Sequence, residues 1–346
     1  MPFQKKIVII IIILLFIYIL YRLYRKQMST KENFFSKTAE QELDEIKNND
    51  LSPGITSLKP VYTNMPISQY VIKGSYNTAV TDNYVSLDTL KYVLSRGCRF
   101  IDFEVFFVNN RPVVSYSNDQ NFKLLETDNT ILLEDILSNS IAYGFNEPSP
   151  NPTDPLFIQL RIKSTNNDVY NEVAKTINTA ISNRLYTGEF IQSTKLSEIM
   201  GKVVIVLDKT INYNYQQYTN CSTTAKNCYD LKNYINIESG SQLLRTNNLS
   251  TIISKSINPP SINDNNITTD VTYMQIASPD VNTVIVGNPL PYEFIKDYGC
   301  QILLYKFYNK DNGLELYEEM FKENLYGIVP LATMLMYFSK YPDFFE

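Results

Sequence analysis

The 346-residue sequence contains no histidine and no tryptophan. The first absence restricts its chemistry most. Histidine is the side chain whose ordinary pKa lies near neutrality, and it is the commonest general acid or base. Without it, Ser-His-Asp sites, Cys-His sites and His-ligated zinc are all excluded. Any catalysis would fall to carboxylates, Lys, Tyr, Cys or a metal held by oxygens. Cysteine is also scarce: Cys98, Cys221, Cys228 and Cys300 are the full set. No CxxC pair occurs, so no zinc site is expected. Cys221 and Cys228 flank a short polar loop and could close a local disulfide or stand as two free thiols. Cys98 and Cys300 lie in apolar runs and read as core residues. A basic excess is missing too. The 31 Lys and Arg are outnumbered by 36 Asp and Glu, giving a net charge of -5. That balance argues against a nucleic-acid partner.

What is present is apolar bulk: 44% hydrophobic residues, with 18 Phe and 26 Tyr. Residues 7–20 read IVIIIIILLFIYIL without a charge. Tyr21, Leu23 and Tyr24 extend the run past Arg22, whose side chain can snorkel. The stretch 7–24 therefore predicts a transmembrane helix near the minimum spanning length, with tyrosines as interfacial anchors. No small-x-small cleavage site follows it, so an uncleaved anchor is expected rather than a signal peptide. Flanking charges are nearly symmetric and leave the orientation open. Sequons stand at Asn220, Asn248 and Asn266, in a chain so rich in Asn that chance alone supplies them.

Residues 27–60 are polar and charged and read as a stalk. The globular part is expected over 61–346, about 280 residues, enough for one large domain. Apolar runs predict strands at 70–73, 99–107, 112–116, 155–162, 202–207, 271–277, 281–286 and 301–307. Helical patterns lie between several of them, at Leu87–Ser95, Ile131–Tyr143, Val169–Ser182 and Tyr292–Tyr298. Near-continuous apolar strands alternating with helices argue for a buried parallel sheet. The expected fold class is α/β: a (β/α)8 TIM-type barrel, preceded by one transmembrane helix. Segments 210–229 and 254–268 are rich in Asn, Thr and Ser and read as insertions.

In such a barrel, chemistry gathers where strands end. The first strand ends in Lys73-Gly74-Ser75-Tyr76-Asn77-Thr78. The second carries Asp102 and Glu104, whose spacing of two points both carboxylates to one face. Tyr116 follows the third and Arg161 lies on the fourth. Here the sequence resembles the catalytic X and Y barrel of eukaryotic phosphoinositide-specific phospholipase C. The resemblance is carried by MPISQYVIKGSYNTA (65–79), SRGCRFIDFEVF (95–106), PVV (112–114), MGKVVIVLDK (200–209), DLKNYI (230–235), NPLPYEF (288–294) and GCQILLYKFY (299–308). These segments keep the family's order and cover about 65–338.

The departures from the family decide the functional expectation. The slots of its two catalytic histidines hold Tyr76 and Tyr116. The slots of its calcium ligands hold Asn77, Asp102, Glu104 and Arg161, with the acidic pair in reversed order. Its two phosphate-gripping lysines correspond to Val206 and Asp208, beside Lys209. A tyrosine is only about one part in a thousand ionised at pH 7 and is a poor general base. Arg161 would repel a metal and pair with Asp102 or Glu104 instead. Bacterial phosphatidylinositol phospholipases work without metal using an arginine, but they keep both histidines. The resemblance therefore implies a catalytically inactive phospholipase-C-like protein with no cofactor. The alternative is an active phosphodiesterase with a histidine-free site, and calcium belongs to that alternative alone. Asp102 and Glu104 could also serve another hydrolysis, although same-face neighbours stand at the short limit for paired carboxylates. Lys73, Arg99 and Lys209 could contact a phosphate or be ordinary surface charge. Expected partners are the bilayer through residues 7–24 and either phosphoinositide headgroups or a protein. The abundance of Asn, Ile, Lys and Tyr suggests an AT-rich genome, as in a large DNA virus or a parasite. A virion or host membrane is then the expected location.

Overall fold

The apolar runs of the sequence become the staves of a closed barrel in a computed structural model that describes residues 18, 37–47, 52–181, 183–219, 228–255, 271–280 and 287–340. Eleven strands form: β1 Tyr70–Ser75, β2 Phe100–Val108, β3 Arg111–Ser115, β4 Ile131–Leu132, β5 Leu156–Ile162, β6 Val203–Asp208, β7 Ile237–Ser239, β8 Leu244–Asn248, β9 Met274–Ser278, β10 Ile302–Tyr305 and β11 Ile328–Pro330. The helices are α1 Ala39–Ile46, α2 Leu87–Ser95, α3 Leu133–Gly144, α4 Asp168–Ile181, α5 Leu249–Lys255, α6 Asn312–Glu323 and α7 Leu331–Lys340. Strands β1, β2, β5, β6, β7, β8, β9 and β10 run parallel, each paired to the next. The ring closes where β1 meets β10, at Ile72↔Ile302 through Ser75↔Tyr305.

Two expected staves differ. Residues 112–116 supply β3, which turns back antiparallel on β2 and is no part of the parallel ring. The cause is local: Asn109 and Asn110 take φ of 50° and 59°, the paired left-handed positions of a two-residue hairpin turn. The run 281–286 lies outside the described residues. In place of these two, the ring uses β7 and β8, whose sequences IES and LRTNN carry little of the apolar signature of a buried strand. The antiparallel β11 pairs with the first half of β1, at Tyr70↔Pro330 through Ile72↔Ile328. Only Gly74 and Ser75 of β1 remain to pair with β2. Gly74 has no room for a side chain, since a Cβ would stand 2.8 Å from the Leu303 carbonyl oxygen.

Alternation along the strands divides the core in two. Tyr70, Ile72, Phe100, Phe157, Val204, Val206, Met274, Ile302 and Leu304 fill the barrel interior. The intervening residues, such as Val71, Ile101, Ile158, Ile205 and Leu303, pack outward against α2, α3, α4, α6 and α7. Helix α2 keeps its expected bounds, and the Ser86 side chain caps it by accepting from the Asp88 and Thr89 N–H groups.

The chain divides into two compact units, Met1–Gln41 and Glu42–Glu346, and the barrel belongs to the second. The expected stalk is not a stalk to its end. Ile55 and Leu58 are buried, and the Leu58 N–H donates to Asp154 Oδ1 at 2.9 Å. Of the expected membrane helix only Tyr18 is described. Among the described residues no helix is long and apolar enough to cross a membrane. Cys228 is disulfide-bonded, whereas Cys98 and Cys300 are free and buried. The candidate partner Cys221 lies outside the described residues, as do 220–227 and 256–268 of the two expected insertions.

Candidate functional site

Three neighbouring staves aim their polar residues into the C-terminal mouth of the barrel. Beyond the apolar floor, the inward positions become Tyr76 after β1, Asp102 and Glu104 on β2, Gln159 and Arg161 on β5, then Lys163. The β2–β5 register sets Asp102 against Gln159 and Glu104 against Arg161. Asp102, Glu104, Gln159 and Arg161 are all buried.

Arg161 is the hub. Its Nε donates to Asp102 Oδ1 at 2.8 Å and its Nη2 to Asp102 Oδ2 at 2.6 Å, a two-pronged clamp. The same Nη2 donates to Asn77 Oδ1 at 2.6 Å, and Nη1 donates to Glu104 Oε1 at 2.8 Å. The guanidinium lies over the Tyr76 ring, 4.5 Å from its centre, and Nη1 donates weakly to the Tyr76 hydroxyl at 3.3 Å. Charge-assisted, two-pronged contacts of this kind are among the strongest hydrogen bonds in proteins. Asn77 adopts a left-handed φ of 43° and donates its own N–H to Asp102 Oδ2 at 3.1 Å.

Lys163 completes the cluster, pairing with Glu104 Oε2 at 2.8 Å while donating to the Ser117 carbonyl at 2.8 Å. The Ser117 N–H adds a third bond to Glu104, at 3.0 Å, and Gln159 Nε2 adds one to Asp102, at 3.1 Å. Two buried carboxylates thus meet two buried cations. Burial by itself would lower the pKa of Arg161, but the carboxylates, Asp102 first and then Glu104, outweigh it and push the pKa up. Burial lowers that of Lys163, with only partial recovery from Glu104.

Tyr76 and Tyr116 are both held neutral. Burial raises the Tyr76 phenol well above its ordinary value despite Arg161. Burial, then Glu126 and Glu104, pushes Tyr116 up to about 12. Its hydroxyl donates to Asn118 Oδ1, away from the Arg161 cluster. A phenol whose pKa is raised in this way is a poor general base near neutral pH. Asp208 also faces this interior, and burial raises its pKa.

The donors around the acidic pair leave no place for a divalent cation. All four oxygens of Asp102 and Glu104 accept bonds, and two resident cations stand within 3 Å of them. A calcium ion would need bare oxygens and would meet Arg161 directly. These residues do not fit that metal.

Two of the three expected phosphate contacts are elsewhere. Lys73 alternates with the inward Ile72, so it points out of the barrel, where its Nζ meets Glu318 Oε1 of α6 and the Arg96 carbonyl, each at 2.7 Å. Arg99 is buried at the opposite end of the barrel. It donates to the Gly144 carbonyl, Ser149 and Asn151, and burial lowers its pKa to about 10. Neither can reach a ligand at the mouth. Lys209, after β6, is partly exposed and pairs with Glu238 at 3.2 Å. Conversely, Lys163 and Gln159 went unread in the sequence, although each stands two residues from Arg161 and so shares its face.

Residues 63–209 match the family model for the X domain of phosphatidylinositol-specific phospholipase C. The structure of L. pealei PLC21 is similar at 12% identity and a TM-score of 0.56, over 79% of this chain and 39% of that one. That of S. officinalis PLC21 is similar at 13% identity and a TM-score of 0.58, over 80% and 39%. At such identities the likeness is one of fold, and this chain spans 39% of the length of each of these two structures. No curated protein matches the sequence.

Proposed function

We propose that this chain is a phospholipase-C-like barrel without phosphodiesterase activity, needing no calcium and acting at a membrane by binding. Its anchor would be residues 7–24. Its partner would be a phosphoinositide headgroup or a membrane-associated protein, and its composition suits a viral or host membrane. The observation that carries this reading is the Arg161 clamp, whose 2.6 and 2.8 Å bonds to Asp102 and 2.8 Å bond to Glu104 occupy the acidic pair. Phosphodiester cleavage needs one group to take a proton and another to return it. The candidate residues for those roles are phenols with raised pKa values.

The test is incubation of the purified full chain with phosphatidylinositol in nanodiscs, with and without calcium. No released inositol phosphate is expected. Release that Asp102→Ala abolishes would establish the histidine-free enzyme instead. Titration of inositol phosphates into the same sample separates the two binding partners: absence of heat leaves a protein partner. For the anchor, recovery of the expressed chain in the soluble fraction after carbonate extraction would sink the assignment of residues 7–24.

A further inference from the structure

At the end of the barrel opposite the Arg161 cluster lies a cleft of about 850 Å³. It opens between the segment that precedes β1 and the turns that lead into β5 and β6. Backbone bonds tie these parts together: Ser197 N–H to the Thr63 carbonyl at 2.8 Å and Gly201 N–H to the Thr153 carbonyl at 2.9 Å. The cleft is within the size range of small-molecule sites.

Its lining has a distinctive charge. Among the described residues Arg184 and Lys59 both face it and no Asp or Glu does, in a chain whose net charge is -5. The buried carboxylate of Asp154, next in sequence to the lining residue Thr153, is turned to the Leu58 N–H at 2.9 Å and to Asn151 at 3.2 Å. Arg184 lies over the Phe145 ring, 4.8 Å from its centre, and among the described residues makes one hydrogen bond, from Nη1 to the Gly201 carbonyl at 3.2 Å. A guanidinium fixed by stacking with most of its N–H groups unused is preorganised for an oxyanion. The Lys59 ammonium has no partner among the described residues. Leu58, Pro152 and Met200 add an apolar wall.

We infer that this cleft binds an amphiphilic phosphate monoester. The head would take the free edge of Arg184 together with Lys59, two positive charges matching a dianion. The short apolar body would lie along Leu58, Pro152 and Met200. This inference stands apart from the proposal for the barrel mouth, because the two sites share no residue. The ligand could come from solution or from a membrane lipid with a bare phosphate head.

The full chain, held in phosphatidylcholine nanodiscs, is titrated calorimetrically with hexyl phosphate, inorganic phosphate and hexanol. Hexyl phosphate is expected to bind at least about tenfold more tightly than either fragment, since charge and apolar wall both contribute. Arg184→Met and Lys59→Met are each expected to weaken it by about tenfold, the size of one charged hydrogen bond. Lys59 is exposed, so its replacement tests the site even if Arg184→Met fails to fold. No binding, equal binding of either fragment, or full affinity in Lys59→Met would overturn the inference. Phosphatidic acid added to the discs distinguishes the sources. A rise in thermal midpoint that Lys59→Met removes points to a lipid head, and hexyl phosphate binding without that rise points to a soluble ligand.

Discussion

Two buried ionic clusters flank β1 and differ in which side of the strand they occupy. Inside the barrel mouth, Arg161 and Lys163 meet Asp102 and Glu104, two cations to two anions. Outside, between the barrel wall and α6, Lys73 and Arg96 meet the single carboxylate of Glu318. The outer cluster sits among apolar rings, with Lys73 Nζ 5.7 Å from the centre of Phe321. It can only hold a helix to the barrel. The inner one sits where strand ends and loops gather, so it decides what the mouth can bind. The same chemistry is structural on one face and site-forming on the other, and strand alternation alone separates them.

The largest expected effect breaks the inner cluster. Arg161→Met leaves two buried carboxylates with one cation and should cost about 3–5 kcal/mol in urea denaturation. A loss below about 1 kcal/mol would mean that water already screens the mouth, as at surface pairs. Glu318→Gln tests the outer cluster and should cost about 2–3 kcal/mol, the lower figure because the Glu318 side chain keeps 19% of its exposure. If this loss exceeded that of Arg161→Met, the ranking of the clusters would be reversed.

Asp154 is a control for both, a buried carboxylate with hydrogen bonds but no ion pair among the described residues. Burial raises its pKa to about 6, although Arg99 pulls it down. The folded state therefore holds a proton more tightly than the unfolded chain, and folding loses stability as pH rises from about 4 to about 6. Relative to Asp154→Asn, the natural protein should lose about 2 kcal/mol between pH 4 and pH 7. Parallel pH curves for the two proteins would remove Asp154 as the source. Glu318 should act in the opposite sense. Burial would raise its pKa, but Lys73 and Arg96 pull it lower, so its contribution is present above the unfolded value and fades as pH falls through the folded one. The smallest effect is expected at Tyr76→Phe. Its hydroxyl accepts one bond of 3.3 Å, so thermal midpoints should reflect a loss under about 1 kcal/mol.

Much of the fold was legible because its signals are local. The apolar runs of β1, β2, β5, β6 and β10 mark buried staves, and Asp102 and Glu104 share a face whatever the surroundings. β3 was misread as a stave because a short apolar run looks the same in a ring or in a hairpin. The deciding signal was the Asn109–Asn110 turn before it. β7 and β8 were missed because strands of 3 and 5 residues gain their place from neighbours rather than from their own apolar content.

By itself the sequence determined that no imidazole can act here, and that a cation and two carboxylates lie on strands able to bring them together. Those facts depend on residue identity and on the fixed two-residue period of a strand. The tertiary structure decided which face of each strand is the inside. Ring closure turned Arg161, Gln159 and Lys163 into the mouth, sent Lys73 out under α6, and buried Arg99 at the far end. The sense of alternation along one strand is settled only when neighbouring strands fix its register and the ring closes. For that reason Lys73 and Arg161, cations of similar standing in the sequence, ended on opposite sides of the barrel wall.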